Sequence, residues 1–189
     1  MKSIKILIAG AVVILAANML TGCTPKNTTV SEVGAQRIAV AQEMKKTVSL
    51  SPVATEDEKG ITVHLLLSNP GKKPITSVQA WLSYNPEVLE GVSIDTQDSA
   101  FELMAPYTND FDQNAGLMML GRSTAKSVDN EEISIATIHF NRIGKGAAMI
   151  EAYDFRSDLE GHTSANMMVD GAPVNILLKP PTPLVTLNQ

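Results

Sequence analysis

Three histidines, one cysteine, an Asp-x-Asp-x-Asn run and an adjacent glutamate pair are the residues of this 189-residue chain with chemistry beyond packing. His64, His139 and His162 lie far apart, without the His-Glu-x-x-His spacing that puts two imidazoles on one helical face for a metal. No Gly-x-Ser-x-Gly elbow presents a serine nucleophile, and no glycine-rich loop precedes a helix to cradle phosphate. Glu131 and Glu132 read most simply as a solvated turn, and adjacency in a strand would send their carboxylates to opposite faces, which denies them a shared acid–base role. Asp110, Asp112 and Asn114 open like a calcium loop and form the one candidate metal loop. An EF-hand would need Gly at its sixth place and Glu at its twelfth, where this chain has Ala115 and Gly121. A hairpin turn explains the run more simply. The sequence therefore reads as that of a binding or structural protein, not an enzyme, with no cofactor and no metal expected.

The only cysteine, Cys23, stands at a position with its own chemistry. Lys2 and Lys5 give a short positive start, Ile6 to Ala17 is an uncharged apolar run of signal-peptide length, and Leu20-Thr21-Gly22-Cys23 follows. This resembles the bacterial lipobox, in which the cysteine is lipidated and becomes the N-terminus. The expectation is a signal peptide over 1–22, lipidation at Cys23, and a domain held by acyl chains to the outer membrane or cell surface. Removing 1–22 leaves 13 basic and 20 acidic residues, a net charge of −7. Such an acidic domain lacks the basic surface of a nucleic-acid binder, and anionic headgroups repel it. Residues 23–46 read as lipidated start and tether, with a reach of at most roughly 75–80 Å when extended.

From Thr47 the hydrophobic period changes to two. Ile61, Val63 and Leu65 alternate with Thr62, His64 and Leu66 before the turn Ser68-Asn69-Pro70-Gly71, and Val78, Ala80, Leu82 and Tyr84 alternate with Gln79, Trp81 and Ser83 up to Asn85-Pro86. Further β-rich stretches cover Leu117 to Arg122, Ile133 to Phe140, Ala147 to Tyr153, and Val174, Ile176 and Leu178. Short strands between Gly, Pro and Asn turns, without helical periodicity, predict an all-β antiparallel sandwich over 47–179. Residues 180–189 hold three prolines and no charge and read as a Pro-rich tail.

Four stretches in this order carry a family resemblance: Ile61 to Gly71; Val78 to Leu89, with its strand followed by Tyr84-Asn85-Pro86; Asn114 to Gly121; and Ile135 to Phe140 followed by Gly144-Lys145-Gly146. Together they resemble a cohesin domain, the receptor module of cellulosome scaffoldins. The resemblance implies a jelly-roll sandwich of about nine strands and a dockerin, a small calcium-binding helical module, as partner. It also implies a link to polysaccharide degradation. In many cohesins an Asn and an Asp stand seven and five residues before the Tyr; here those places are Ser77 and Gln79, so the polar anchor pair is changed. With Tyr84 inward, Gln79, Trp81 and Ser83 face outward on the docking sheet. Met118, Leu120 and Arg122 share one face of the strand after Gly116 and, placed outward, add an apolar patch with one cation. Ser77, Gln79, Trp81, Ser83, Met118, Leu120 and Arg122 are thus the candidate partner-binding residues. Two other readings stand beside it: a carbohydrate-binding module of the same fold with a polysaccharide ligand, weakened by one Trp, three Tyr and four Phe in all, and a structural or assembly lipoprotein.

Overall fold

The computed structural model describes residues 47–188 apart from Lys59, so Cys23, the signal segment and the tether lie outside the described residues. Every regular element described is a strand: β1 (Ser49–Leu50), β2 (Val53–Asp57), β3 (Gly60–Ser68), β4 (Ile75–Tyr84), β5 (Leu89–Asp95), β6 (Leu103–Met104), β7 (Asp110–Asp112), β8 (Leu117–Val128), β9 (Glu132–Arg142), β10 (Ala148–Ala152), β11 (Ser164–Val169), β12 (Ala172–Asn175) and β13 (Val185–Leu187). Nine of these have four or more residues. They form two antiparallel sheets packed as a jelly-roll-type sandwich. In the five-stranded sheet the order is β1-β3-β9-β5, with β2 also on β3; in the eight-stranded sheet β12-β11-β4-β10-β13 form one path, β8 takes the other edge of β4, and β6 and β7 flank β8.

The core is the inward half of each alternating strand. Ile61, Val63, Leu65 and Leu67 of β3 face Val78, Ala80, Leu82 and Tyr84 of β4 in one buried cluster with Ile133, Ile135, Ile138 and Phe140 of β9. Period-two alternation makes such a face apolar while the other stays polar, and that pins register, because a one-residue slip would turn every core side chain to solvent. Tyr84 is fixed at the strand exit. Its ring meets Phe140 edge-on at 5.2 Å and Phe111 at 6.3 Å, and its hydroxyl donates to Gln113 Oε1 at 2.8 Å. Burial, and then the Asp112 carboxylate, push the Tyr84 hydroxyl upward in pKa, so it stays a donor. Gln113 in turn bonds both Gly91 N and Gly91 O, covering part of the β5 edge as a paired strand would.

The stretch read as a Pro-rich tail contains a strand, β13. Val185, Thr186 and Leu187 pair with Ile150, Met149 and Ala148, Val185 is buried, and Leu184 N donates to Ile150 O at 2.9 Å. Three residues are too few for period-two alternation to register, and the prolines before them masked the strand.

Candidate docking face

β4 lies inside the eight-stranded sheet, so its outward row lies in the middle of a broad surface. Alternation places Ser77, Gln79, Trp81 and Ser83 on that row: Gln79 is exposed and the other three are half-buried. Antiparallel register brings Ser123 beside Ser77, Gly121 beside Gln79, Met119 beside Trp81 and Leu117 beside Ser83. Ser164 and Asn166 of β11 stand opposite Gln79 and Ser77 on the other edge of β4.

Met118, Leu120 and Arg122 do not belong to this surface. Met118 pairs with Leu82, Leu120 with Ala80 and Arg122 with Val78, and directly paired residues share a face. Met118 and Leu120 are fully buried in the core, and Arg122 is buried with its Nε donating to Phe101 O at 3.0 Å. The apolar contribution of β8 to the outward face comes instead from Leu117 and Met119, both half-buried. Leu117-Met118-Met119-Leu120 is apolar at every position, so alternation within it carries no sign; only the pairing with β4 decides the face.

Trp81 is partly covered by Tyr153, at the end of a stretch read as a strand, and by His162, in a loop to which no element was assigned. The His162 ring lies 4.2 Å from the Trp81 ring, tilted by 34°, and Tyr153 lies 6.4 Å away at an interplanar angle of 19°. The backbone at the same point is tied down: Trp81 O accepts from Tyr153 N at 2.8 Å and from the hydroxyl of fully buried Thr163 at 3.0 Å. His162 Nδ1 is 2.8 Å from Asp154 Oδ2, and Arg156 Nε donates to Asp154 Oδ1 at 3.1 Å. The hydrogen bond from His162, then that from Arg156, hold the Asp154 carboxyl below the usual carboxylate range. Tyr153, Asp154, Arg156 and His162 thus join the candidate face. Their distance from Trp81 along the chain left no spacing signal; a Tyr, a His and alternating charges in one loop were the only trace.

Beside Trp81 the face holds a groove of about 310 Å3, floored by Ser77, Gln79, Ser123, Ser164 and Asn166, with Ala105, Leu159 and Pro173 also lining it. Asn166 Nδ2 donates to Ser77 Oγ at 3.2 Å and to Ser164 Oγ at 3.3 Å, while its Oδ1 is buried without a partner.

The other residues singled out earlier are used structurally. Asp112 Oδ1 accepts from the backbone of Asn114 and Ala115, and Asp110 Oδ1 from that of Phe111, so this acidic run caps a turn between β7 and β8. Gly116 completes the turn at φ +64°, where a Cβ would stand 2.2 Å from Tyr84 O. Among the described residues no group of three or more His, Cys, Asp or Glu is arranged to hold a metal ion. His64 and His139 lie on the five-stranded sheet, each with Nδ1 against a threonine hydroxyl, Thr137 at 3.1 Å and Thr62 at 3.2 Å. Glu131 makes an exposed ion pair with Lys72. Among the described residues no helix is long and apolar enough to cross a membrane.

No family model matches the chain, and no curated protein does. Solved structures similar to it include the seventh type I cohesin of ScaB from Pseudobacteroides cellulosolvens, at 13% identity and a TM-score of 0.49, covering 69% of this chain and 84% of that one. Another is a type I cohesin–dockerin complex, Coh-OlpA-Doc918, from Clostridium thermocellum, at 11% identity and a TM-score of 0.47, covering 68% and 92%. A third is the third cohesin of ScaC in complex with the ScaB dockerin, from Acetivibrio cellulolyticus, at 13% identity and a TM-score of 0.47, covering 70% and 94%.

Proposed function

We propose that this chain is a non-catalytic binding module of the cohesin type, held outside the cytoplasm by lipid on Cys23. In this reading it receives a dockerin or dockerin-like protein on the outward face of its eight-stranded sheet. The observation that carries the reading is Trp81: the only tryptophan of the chain stands half-buried in mid-sheet, on the outward row of β4. Met119 and Leu117 flank it on β8, and Tyr153 and His162 on the other side. A large aromatic side chain held rigidly among soft apolar neighbours with a polar rim has the anatomy of a protein-interface hot spot. The four stretches resembling a cohesin supply the class of partner. A carbohydrate ligand fits this face less well, because the His162 ring already occupies the space against Trp81 where a sugar would stack.

The test is direct binding of dockerin-bearing proteins to the full chain, with calcium and with chelator. Calcium-dependent association supports the reading; no association with any dockerin, alongside retention on insoluble polysaccharide, overturns it. The anchor is tested separately. Cys23→Ser should move the protein from the membrane fraction to the soluble one, and an unchanged distribution would remove the lipid from the account.

A further inference from the structure

The turn between β6 and β7 presents an aromatic side chain that the fold does not use. Tyr107 is 97% exposed, although its backbone stands at φ +58°, a left-handed conformation in which a bulky side chain is a rare exception. It is the third residue of the turn Ala105-Pro106-Tyr107-Thr108, and a turn with proline at the second place and left-handed φ at the third ordinarily takes Gly or Asn there. The turn is pinned at three points. Thr108 Oγ1 donates to Ala105 O at 2.7 Å, Ala105 N to Gly121 O at 2.9 Å, and Asn109 N to Met119 O at 2.7 Å. Its place is on the docking face. Gly121 pairs with Gln79 of the outward row, yet it is buried, because the turn lies over it: a Cβ at position 121 would stand 2.9 Å from Ala105 Cβ and 3.0 Å from Thr108 Cγ2. A glycine in mid-strand marks such a close approach. Gly121 is also the diagonal neighbour of Trp81, two residues along β8 from Met119, and diagonal neighbours lie about 7–8 Å apart. Leu103, on the arm leading to the turn, pairs with Ser123 and is exposed on the same face.

We propose that Tyr107 is a second anchor of the docking surface, taken into an apolar recess of the same protein partner that covers Trp81. The inference rests on the docking reading and adds to it a residue that sets which partners fit. A phenol ring buries a large area, and a ring carried on a pinned turn has less freedom left to lose on binding. Trp81 is recessed among Met119, Tyr153 and His162, while Tyr107 is raised on the turn over its diagonal neighbour Gly121, so a partner that touches one ring lies within reach of the other. A side chain at a left-handed position destabilises the chain that carries it, and strain of this kind clusters at sites that use it. A lipid surface is the other taker for an exposed ring, and the local charges oppose it. Glu102 before the turn and Asp110 and Asp112 after it are exposed carboxylates, which anionic headgroups repel.

The experiment measures the affinity of a dockerin-bearing protein, at matched calcium, for the full chain and for its Tyr107→Gly, Tyr107→Asn and Trp81→Ala variants, together with the urea midpoint of each. Gly and Asn both accept the left-handed φ, so the two Tyr107 variants should keep or raise the wild-type midpoint while Kd rises at least about fivefold. Asn removes the ring without adding the flexibility of Gly, so agreement between the two assigns the loss to the ring. A Trp81-dependent partner whose Kd rises by less than about fivefold in either Tyr107 variant overturns the inference and leaves the docking reading standing. A lowered midpoint in both variants makes Tyr107 a packing residue and overturns it as well. No association of the wild-type chain with any dockerin-bearing protein removes the docking reading, and the inference with it. Tyr107-dependent co-sedimentation of the Cys23→Ser chain with phosphatidylglycerol vesicles gives the ring to a lipid surface instead, which also overturns it.

Discussion

Replacing Met118 and Met119 by alanine, one at a time, tests the assignment of faces on β8 with two chemically identical changes one residue apart. Met118 is fully buried opposite Leu82, and Met119 is half-buried opposite Trp81 on the outward face. Alanine lacks three heavy atoms of methionine; at about 0.8 kcal/mol per buried methylene equivalent, Met118→Ala loses roughly 2.4 kcal/mol of transfer free energy. The cavity left among Leu82, Leu120 and their neighbours brings the expected cost to about 2–5 kcal/mol. Met119→Ala removes atoms already half in water and leaves no closed cavity, so about 1 kcal/mol or less is expected. In urea unfolding of the full chain, an m-value of about 2 kcal/mol per molar turns these costs into midpoint shifts of about 1–2.5 M for Met118→Ala and at most about 0.5 M for Met119→Ala. Equal shifts, or a larger one for Met119→Ala, would mean that β8 is registered one residue away from the pairing described, and the outward face would have to be redrawn.

Gly116→Ala should cost about 1–3 kcal/mol by the same assay, since position 116 has a left-handed φ and its new Cβ would meet Tyr84 O; a neutral result would mean that the β7–β8 turn relaxes freely. The Asp154 tie should be acid-sensitive. Its folded pKa lies below the ordinary value of about 3.9, so its contribution is fully present above that value and disappears as pH falls through the folded pKa. The stability difference between wild type and Asp154→Asn should therefore shrink as pH falls below about 4. A difference that keeps its full size down to about pH 2 would contradict the assignment of His162 and Arg156 as its partners.

The parts of this fold legible in the sequence are those where polar and apolar residues alternate. β3 and β4 were readable strand by strand and face by face, because Thr62 and His64, or Gln79, Trp81 and Ser83, interrupt the apolar series at every second place. β8 was readable as a strand but not as a face, because four consecutive apolar residues have no phase of their own. β11 was missed because Ser164 and Asn166 are polar yet buried, held by hydrogen bonds that only the folded chain assembles. The site divides in the same way. Trp81 and its row follow from local alternation, whereas His162, Tyr153 and the serine–asparagine groove depend on β10 and β11 returning to the same edge of β4.

Affinity of a dockerin-bearing partner for the wild-type chain and for Trp81→Ala, at matched calcium and with the fold of the variant confirmed by its amide spectrum, tests the central claim most directly. The account predicts a folded variant whose Kd rises by about 30-fold or more, the equivalent of about 2 kcal/mol. A folded Trp81→Ala chain that binds as tightly as wild type would contradict it and remove the eight-stranded sheet's outward face as the docking surface.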